Sequence, residues 1–440
     1  MIRLPTKEDT WFENRSPCEI SKQIQDIETE QSCFGNATQY KREWLPAHPV
    51  GEGSEITMIQ LNMLAQGLSS GPQATPPFTS IDPSKKKVDQ LSCFGGFENV
   101  SHPELSLDFD KRKWRLLQIM LGYENDQGKL SKNDNKWDII ALQECDAYES
   151  FFKPALSKFS YSSIFYPKES APGLKFGYYS DGCALFFNNT KFRLISHVKG
   201  KYSVGSQIYI IATLKHIETG RTMVVATTHL KAKNGHDNER IRTSQAKELC
   251  EKAAQIVYNI QRSCCISVDV PLVILGDFNA ELPKNNDDNQ GYDSNKSECI
   301  KSILHRKEAP YMKSVYPTDP ASPELYTTYK TRKGKTTKRT IDYIFYNGGK
   351  GEDIDEKGKS QTVDFKCTHF LQAPNIMEVS KSHMPGFRNP SDHIHLGAKF
   401  CISSNIRHKT QCSSPRTNFK KQCRDESFKS YSPKSLISEI

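Results

Sequence analysis

With 440 residues, the chain is long enough for one large domain with extensions, or for two domains, and it can bury a sizeable core. Its longest apolar runs, such as "PLVIL" at 271–275, fall far short of the ~20 residues of a membrane helix. The formal charge of +9 is partly local, with eight Lys/Arg against three Asp/Glu from 403 to the end; the nearly balanced remainder argues against a wrapper of duplex nucleic acid and leaves room for a local basic pocket that takes a small anion or a short strand.

Residues 1–54 are polar without sustained period and are expected to be a disordered extension. Their start, "MIRLPTKEDTWFENR", lacks the apolar core of a secretory signal. The 13 cysteines are scattered and odd in number, which reads as reduced thiols rather than a disulfide framework or zinc site. A cytoplasmic location is therefore expected, with a mitochondrial one as the alternative. The expected catalytic domain runs from 55 to 402. It begins with an apolar strand, "ITMIQLNML" (56–64), followed by a Gly/Pro/Ser-rich insertion near 67–95. "DKRKWRLLQIMLGY" (110–123) reads as a helix on the stripe Trp114, Leu117, Leu121. A polar surface insertion is expected at 124–136.

Strands are then expected at 137–146, 181–188, 207–217, 221–230, 271–279, 340–346 and 393–400, with a long helix over about 238–262. That helix carries the stripe Ala246, Leu249, Cys250, Ala253, Ile256, Val257 and Ile260. Alternation of strands with helices argues for an α/β or α+β architecture. The basic run "KTRKGKTTKR" (330–339) reads as a solvated loop, and the tail 403–440 is basic, Ser-rich and expected to be disordered.

The strong strands carry polar groups at or near their ends. Asn62 follows "MIQL", Glu144 follows "IIALQ", His229 follows "VVATT", and Asp277 and Asn279 follow "PLVILG". Asp342 lies inside "TIDYIFY", and Asp392 and His393 precede "IHL". In packed sheets, such ends can line one cleft. Hard oxygen ligands with few thiols suit Mg²⁺. Asp277 and Asn279, two apart, can share a face while Phe278 packs on the other. A carboxylate there can take a proton from water, and a histidine oriented by another carboxylate can stabilise phosphoryl charge. These are the parts for metal-assisted phosphoester hydrolysis.

The ordered set "LNMLAQ", "IIALQECD", "DGCALFF", "TTHLKAK", "ILGDFNAE", "TIDYIFY" and "PSDH" resembles the endonuclease/exonuclease/phosphatase superfamily. Within it, "THLKAK" (228–233), "ERIRTSQ" (239–245), "YTTYK" (326–330) and the block 97–117 resemble the nocturnin-like group, in the branch that also holds the carbon-catabolite-repressor-type deadenylases. The resemblance covers roughly 55–400 and implies a four-layer α/β sandwich with two central mixed β-sheets. It implies Glu144 as the principal Mg²⁺ ligand (with Mn²⁺ as a substitute), Asn62 in the metal and phosphate network, and Asp392 as support through a second metal. It implies Asp277 as the residue that activates water, Asn279 and His229 as phosphate contacts, His393 at the scissile phosphate and Asp342 as the acid that orients a histidine. Lys168, Lys231 and Lys233 match basic positions that grip substrate phosphates. Relatives commonly have Lys-Ala-Arg where this chain has Lys231-Ala232-Lys233, which keeps the charge and loses the bidentate fork. The implied activity is removal of the 2′-phosphate of NADP(H), with 3′–5′ exonucleolysis of poly(A) in single-stranded RNA as the alternative. No leucine-rich repeat of the repressor-type deadenylases is found ahead of the first expected strand. The complete polar set argues against a non-enzymatic adaptor, and no obligate protein partner is expected.

Overall fold

The computed structural model describes residues 11–49, 53–69, 93–123, 137–176, 178–264, 270–282, 298–306, 310–318, 325–347 and 365–403. In chain order it begins with α1 (Pro17–Ser32), a short strand β1 (Trp44–Pro46) and β2 (Ser54–Asn62). After a helical turn at Gln66–Ser69 come α2 (Phe109–Met120), β3 (Ile139–Cys145), β4 (Tyr161–Pro167) and β5 (Gly182–Asn188). β6 (Phe192–Lys201), β7 (Ile208–His216), β8 (Thr222–His229), the long α3 (His236–Cys264), β9 (Leu272–Asp277), α4 (Glu298–Leu304) and β10 (Lys313–Ser314) follow. The last part holds β11 (Thr328–Arg332), β12 (Lys335–Arg339), β13 (Asp342–Tyr346), β14 (Phe365–Leu371), α5 (Ile376–Ser382) and β15 (Leu396–Ile402).

Two mixed sheets form the centre. One has seven strands in the order β1-β14-β15-β2-β3-β5-β4, the other six in the order β10-β13-β9-β8-β7-β6. Among the described residues, only β2/β3 and β8/β9 pair in parallel, each pair joined through a helix. Strand alternation assigns the faces. In β2, Ile56 and Met58 join the core between the sheets, with Ile139, Leu185, Val225, Leu275 and Ile344. Ile59 and Leu61 point the other way, onto α1 and α2. Ile274, Val224 and Phe345 in turn pack under α3 and α4 with Ala246, Leu249 and Ala253. The result is the expected α/β/β/α sandwich. Among the described residues, no helix is long and apolar enough to cross a membrane.

The N-terminal stretch departs from expectation. Instead of disorder, residues 17–32 form α1, started by a capping box in which Ser16 and Glu19 bond reciprocally, with Pro17 in the first turn. Ile20, Ile24 and Ile27 form a stripe only three residues wide, buried beside Leu116 and Leu117 of α2. Charged residues flanking that stripe hide it from a reading by average polarity. Glu28 faces inward too, 3.2 Å from Arg115 and accepting from Gln118 at 3.0 Å. Core therefore starts before the boundary expected at 54/55. Ile24→Ala is expected to lower the unfolding free energy by about 2–5 kcal/mol, read from the urea midpoint; an unchanged midpoint would mean that α1 is not part of the folded body.

The basic run at 330–339 is also ordered: β11 and β12 pair as a hairpin, with Thr328 opposite Arg339. The last expected strand starts later than expected, at Leu396, leaving His393 ahead of it in an isolated β-bridge with Thr328. The insertion at 124–136, most of that near 67–95 and the tail from 404 lie outside the described residues.

Candidate active site

The alternation that fills the core between the sheets also delivers the polar groups. Gln60 and Asn62 continue the face of Ile56 and Met58; Gln143 continues that of Ile139 and Ala141. His229 follows Met223, Val225 and Thr227 on β8, Asp277 follows Val273 and Leu275 on β9, and Asp342 precedes Ile344 on β13. The ladder aligns them: His229 is the register partner of Asp277, and Asp277 that of Asp342. One row across the sheet thus carries an imidazole and two carboxylates, at the end where the apolar core stops.

His393 meets this row from the other side. Its Nδ1 donates to Asp342 Oδ2 at 2.9 Å, and its Nε2 lies 4.0 Å from Asp277 Oδ2. Asp342 is fully buried; Gln60 Nε2 donates to its Oδ1 at 2.9 Å and the Thr327 hydroxyl meets its backbone N–H. Gln60 is held by Gln143, and Gln143 by Thr227, so a polar chain crosses between the sheets. Burial, and then the neighbouring Asp342, push the Asp277 carboxyl up to about 7. Burial opposes charge on His393, but Asp342 and Asp392 outweigh it and raise its pKa to about 9. The pair therefore joins an imidazolium to a carboxyl that titrates near neutrality.

Asn62 joins the second half. Its Nδ2 donates to Glu144 Oε1 at 3.2 Å and to Asp277 Oδ2 at 3.0 Å. Glu144 Oε2 also accepts from the Ala65 N–H at 3.1 Å. Glu144 has a φ of +55°, and the β3–β5 register slips between Leu142 and Cys145. This local bulge turns the carboxylate toward the site, a left-handed conformation that costs a non-glycine residue of order 1–3 kcal/mol. Asn279, with φ +51°, makes a similar turn after β9, and its N–H caps Asp277 Oδ1 at 2.8 Å.

The cations divide. Lys168 lies inside, bridging Asp181 Oδ2 at 2.6 Å and His229 Nδ1 at 3.3 Å. Burial and then the Lys168 ammonium keep His229 neutral, its pKa well below the usual value. With Nδ1 accepting, the ring proton sits on Nε2, which faces Asp277 Oδ2 at 3.5 Å. Lys231 and Lys233 are on the loop after β8, half-buried and exposed; Arg242 holds their carbonyl groups rather than their side chains. Asp392, expected as a metal ligand, is ion-paired to Lys330 of the hairpin. Lys330 and then His393 outweigh the burial cost and hold Asp392 well below the usual carboxylate range.

Sequence reasoning missed Gln60, Gln143, Asp181, Lys330 and Arg112. The two glutamines were visible as amides inside apolar strands, which need partners when buried. Lys330 had no such signal.

Asp277, Asp342 and His393 offer ligand atoms within 4.8 Å of one another, and Glu144 with Asn62 adds oxygen donors next to Asp277. No thiol belongs to this set. Hard-oxygen donors with one imidazole fit a divalent cation.

The model of the Endonuclease/Exonuclease/phosphatase family matches residues 95–393. Nocturnin of Mus musculus is 28% identical over 356 residues, which is 80% of this chain and 66% of that protein, so the chain spans just under two thirds of that relative's length. The CCR4-Not complex 3'-5'-exoribonuclease subunit Ccr4 of Kluyveromyces lactis is 25% identical over 333 residues, covering 68% of this chain and 38% of that protein. The structure of the human Nocturnin catalytic domain with bound sulfate anion aligns with a TM-score of 0.53 and 25% identity, over 82% of this chain and 97% of that one.

Proposed function

We propose that this chain, which belongs to the Endonuclease/Exonuclease/phosphatase family, is a Mg²⁺-dependent phosphoester hydrolase that removes the 2′-phosphate of NADP(H). The observation that carries the hydrolytic reading is the convergence of Glu144, Asn62, Asp277, Asp342 and His393 through direct contacts. Glu144 and Asn62 would hold the metal, which would supply charge neutralisation to the phosphoryl group. Asp277, titrating at about 7, takes the proton of the attacking water. His393, cationic up to about pH 9 and oriented by Asp342, faces the charge that develops on phosphoryl oxygen. Neutral His229 donates from Nε2, and Lys168 beside it supplies fixed positive charge. Asn279 has one amide hydrogen left for phosphate after its bond to the Leu230 carbonyl.

The substrate reading rests on the nocturnin relatives, the "THLKAK" loop and the nearly balanced charge outside the tail. A compact dinucleotide with an extra phosphate suits a few converging cations. The Ccr4 relative favours a second reading, 3′–5′ trimming of poly(A). The test is phosphate release from NADPH measured beside shortening of a poly(A) oligomer, with Mg²⁺ and with EDTA. Mg²⁺-dependent phosphate release is expected; rapid trimming with no phosphate from NADPH would overturn the reading in favour of the exoribonuclease. Lys231→Ala is expected to raise KM for NADPH about tenfold or more, since a charge-assisted hydrogen bond contributes ~1.5–3 kcal/mol. An unchanged KM would remove Lys231 from the substrate contacts.

A further inference from the structure

Arg112 of α2 is completely buried, yet it touches none of the groups assigned to the chemistry. Its guanidinium makes four bonds. Nη1 donates to the Met63 carbonyl at 2.8 Å and the Pro390 carbonyl at 3.1 Å; Nη2 donates to the Leu64 carbonyl at 2.7 Å and the Ser69 hydroxyl at 3.0 Å. Three of these acceptors belong to the segment that leaves β2 immediately after Asn62. The fourth precedes Ser391, Asp392 and His393.

The two segments are also joined directly. The Ser391 hydroxyl donates to the Asn62 carbonyl at 2.6 Å and accepts from the His393 N–H at 3.1 Å. The β2 exit needs such support. Leu64 is left-handed, with φ +59°, and only this turn brings its N–H to Asn62 Oδ1 and the Ala65 N–H to Glu144 Oε2. Met63 and Leu64 are buried, so their carbonyls need protein donors, and a planar fork of donors meets them.

We infer that Arg112 is a positioning residue of the active site: it fixes the segment carrying Asn62, and through it Glu144, relative to the segment carrying His393. This rests on the hydrolase reading for its kinetic consequence, but not for its structural one. Lysine keeps the charge but has its three donors at one nitrogen, so it cannot meet the four acceptors that the guanidinium reaches from two nitrogens.

The test uses the full chain with Arg112→Lys, and Ser391→Ala as a smaller cut in the same connection. Hydrogen exchange at the amides of 62–66 and 391–394 is followed beside that of 208–229, and kcat and KM are measured with whichever of NADPH or poly(A) the wild type turns over. Both variants are expected to lose protection at the two site segments while keeping it in the sheet. kcat is expected to fall roughly ten- to hundredfold, with KM within about twofold, as for catalytic groups displaced by up to ~1 Å. A general loss of packing would instead accelerate exchange throughout. Wild-type kcat in either folded variant, or wild-type exchange at both site segments in both, overturns the inference; should Arg112→Lys not fold, Ser391→Ala decides by the same criteria. If the wild type turns over neither substrate, the function reading fails and the exchange pattern still decides this one.

Discussion

Glu144→Ala is expected to abolish metal-dependent turnover while leaving a folded protein. Glu144, next to last in β3, is only partly buried and belongs to no apolar cluster, so its removal deletes little packing. It does delete the oxygen donors that sit beside Asn62 and Asp277. A metal contributes several kcal/mol of charge stabilisation to phosphoryl transfer, and a loss of ~4 kcal/mol is about a thousandfold in rate. The Ala65 N–H also loses its acceptor, so Glu144→Gln, which restores an acceptor oxygen without the charge, separates the local bond from the metal. Both variants should lose activity, and both should lack the rise in melting temperature expected of the wild type in Mg²⁺. Substantial Mg²⁺-dependent activity in Glu144→Ala would remove Glu144 from the metal site.

Asp277→Asn and His393→Ala are each expected to lower kcat by roughly three or more orders of magnitude, and the double variant to cost little more, because members of a catalytic unit are not additive. Losses that multiply would mean independent roles. The same pair sets the pH profile. On the proposed roles, activity needs Asp277 ionised and His393 protonated, so kcat/KM should rise on an acidic limb no higher than about pH 7 and fall through about pH 9. A cation bound beside Asp277 stabilises its ionised form and moves the acidic limb down. Asp342→Asn removes the largest favourable charge facing His393, so the alkaline limb should move toward lower pH. An alkaline limb that stays in place would show that it belongs to another group.

The strand ends were legible because one rule governs core and site. A period of two that buries Ile56 and Met58 also fixes the side on which Gln60 and Asn62 emerge, and the same holds for Val273, Leu275 and Asp277. Expecting these residues at one cleft therefore needed only the strands and their packing. What could not be read has partners far away in the chain. Lys330 meets Asp392 across 62 positions, and Arg112 reaches carbonyls 49 and 278 positions away. Both lie in stretches that carry the resemblance, "YTTYK" and 97–117, but nothing in those stretches marks the distant partner. The helix at 17–32 failed for a different reason: its apolar stripe is thin, and its inward Glu28 and Gln31 resemble solvated residues until Arg115 and Gln118 are placed against α1.

The row His229–Asp277–Asp342 has a consequence for how such an enzyme can change. Its spacing is that of neighbouring strands, maintained by backbone hydrogen bonds that side-chain substitutions other than proline leave in place. A lineage can therefore rewrite the loop after β8, trading one phosphorylated compound for another, without disturbing the row; the β11–β12 hairpin is less free, because its Lys330 pairs with Asp392 and its Thr328 bridges His393. A one-residue deletion within β9 ahead of Asp277 would have the opposite effect, turning that carboxylate to the helix-covered side with the outer loops intact. Diversification of substrate is open to this scaffold through its loops, whereas the parity of its strands is a heritable constraint.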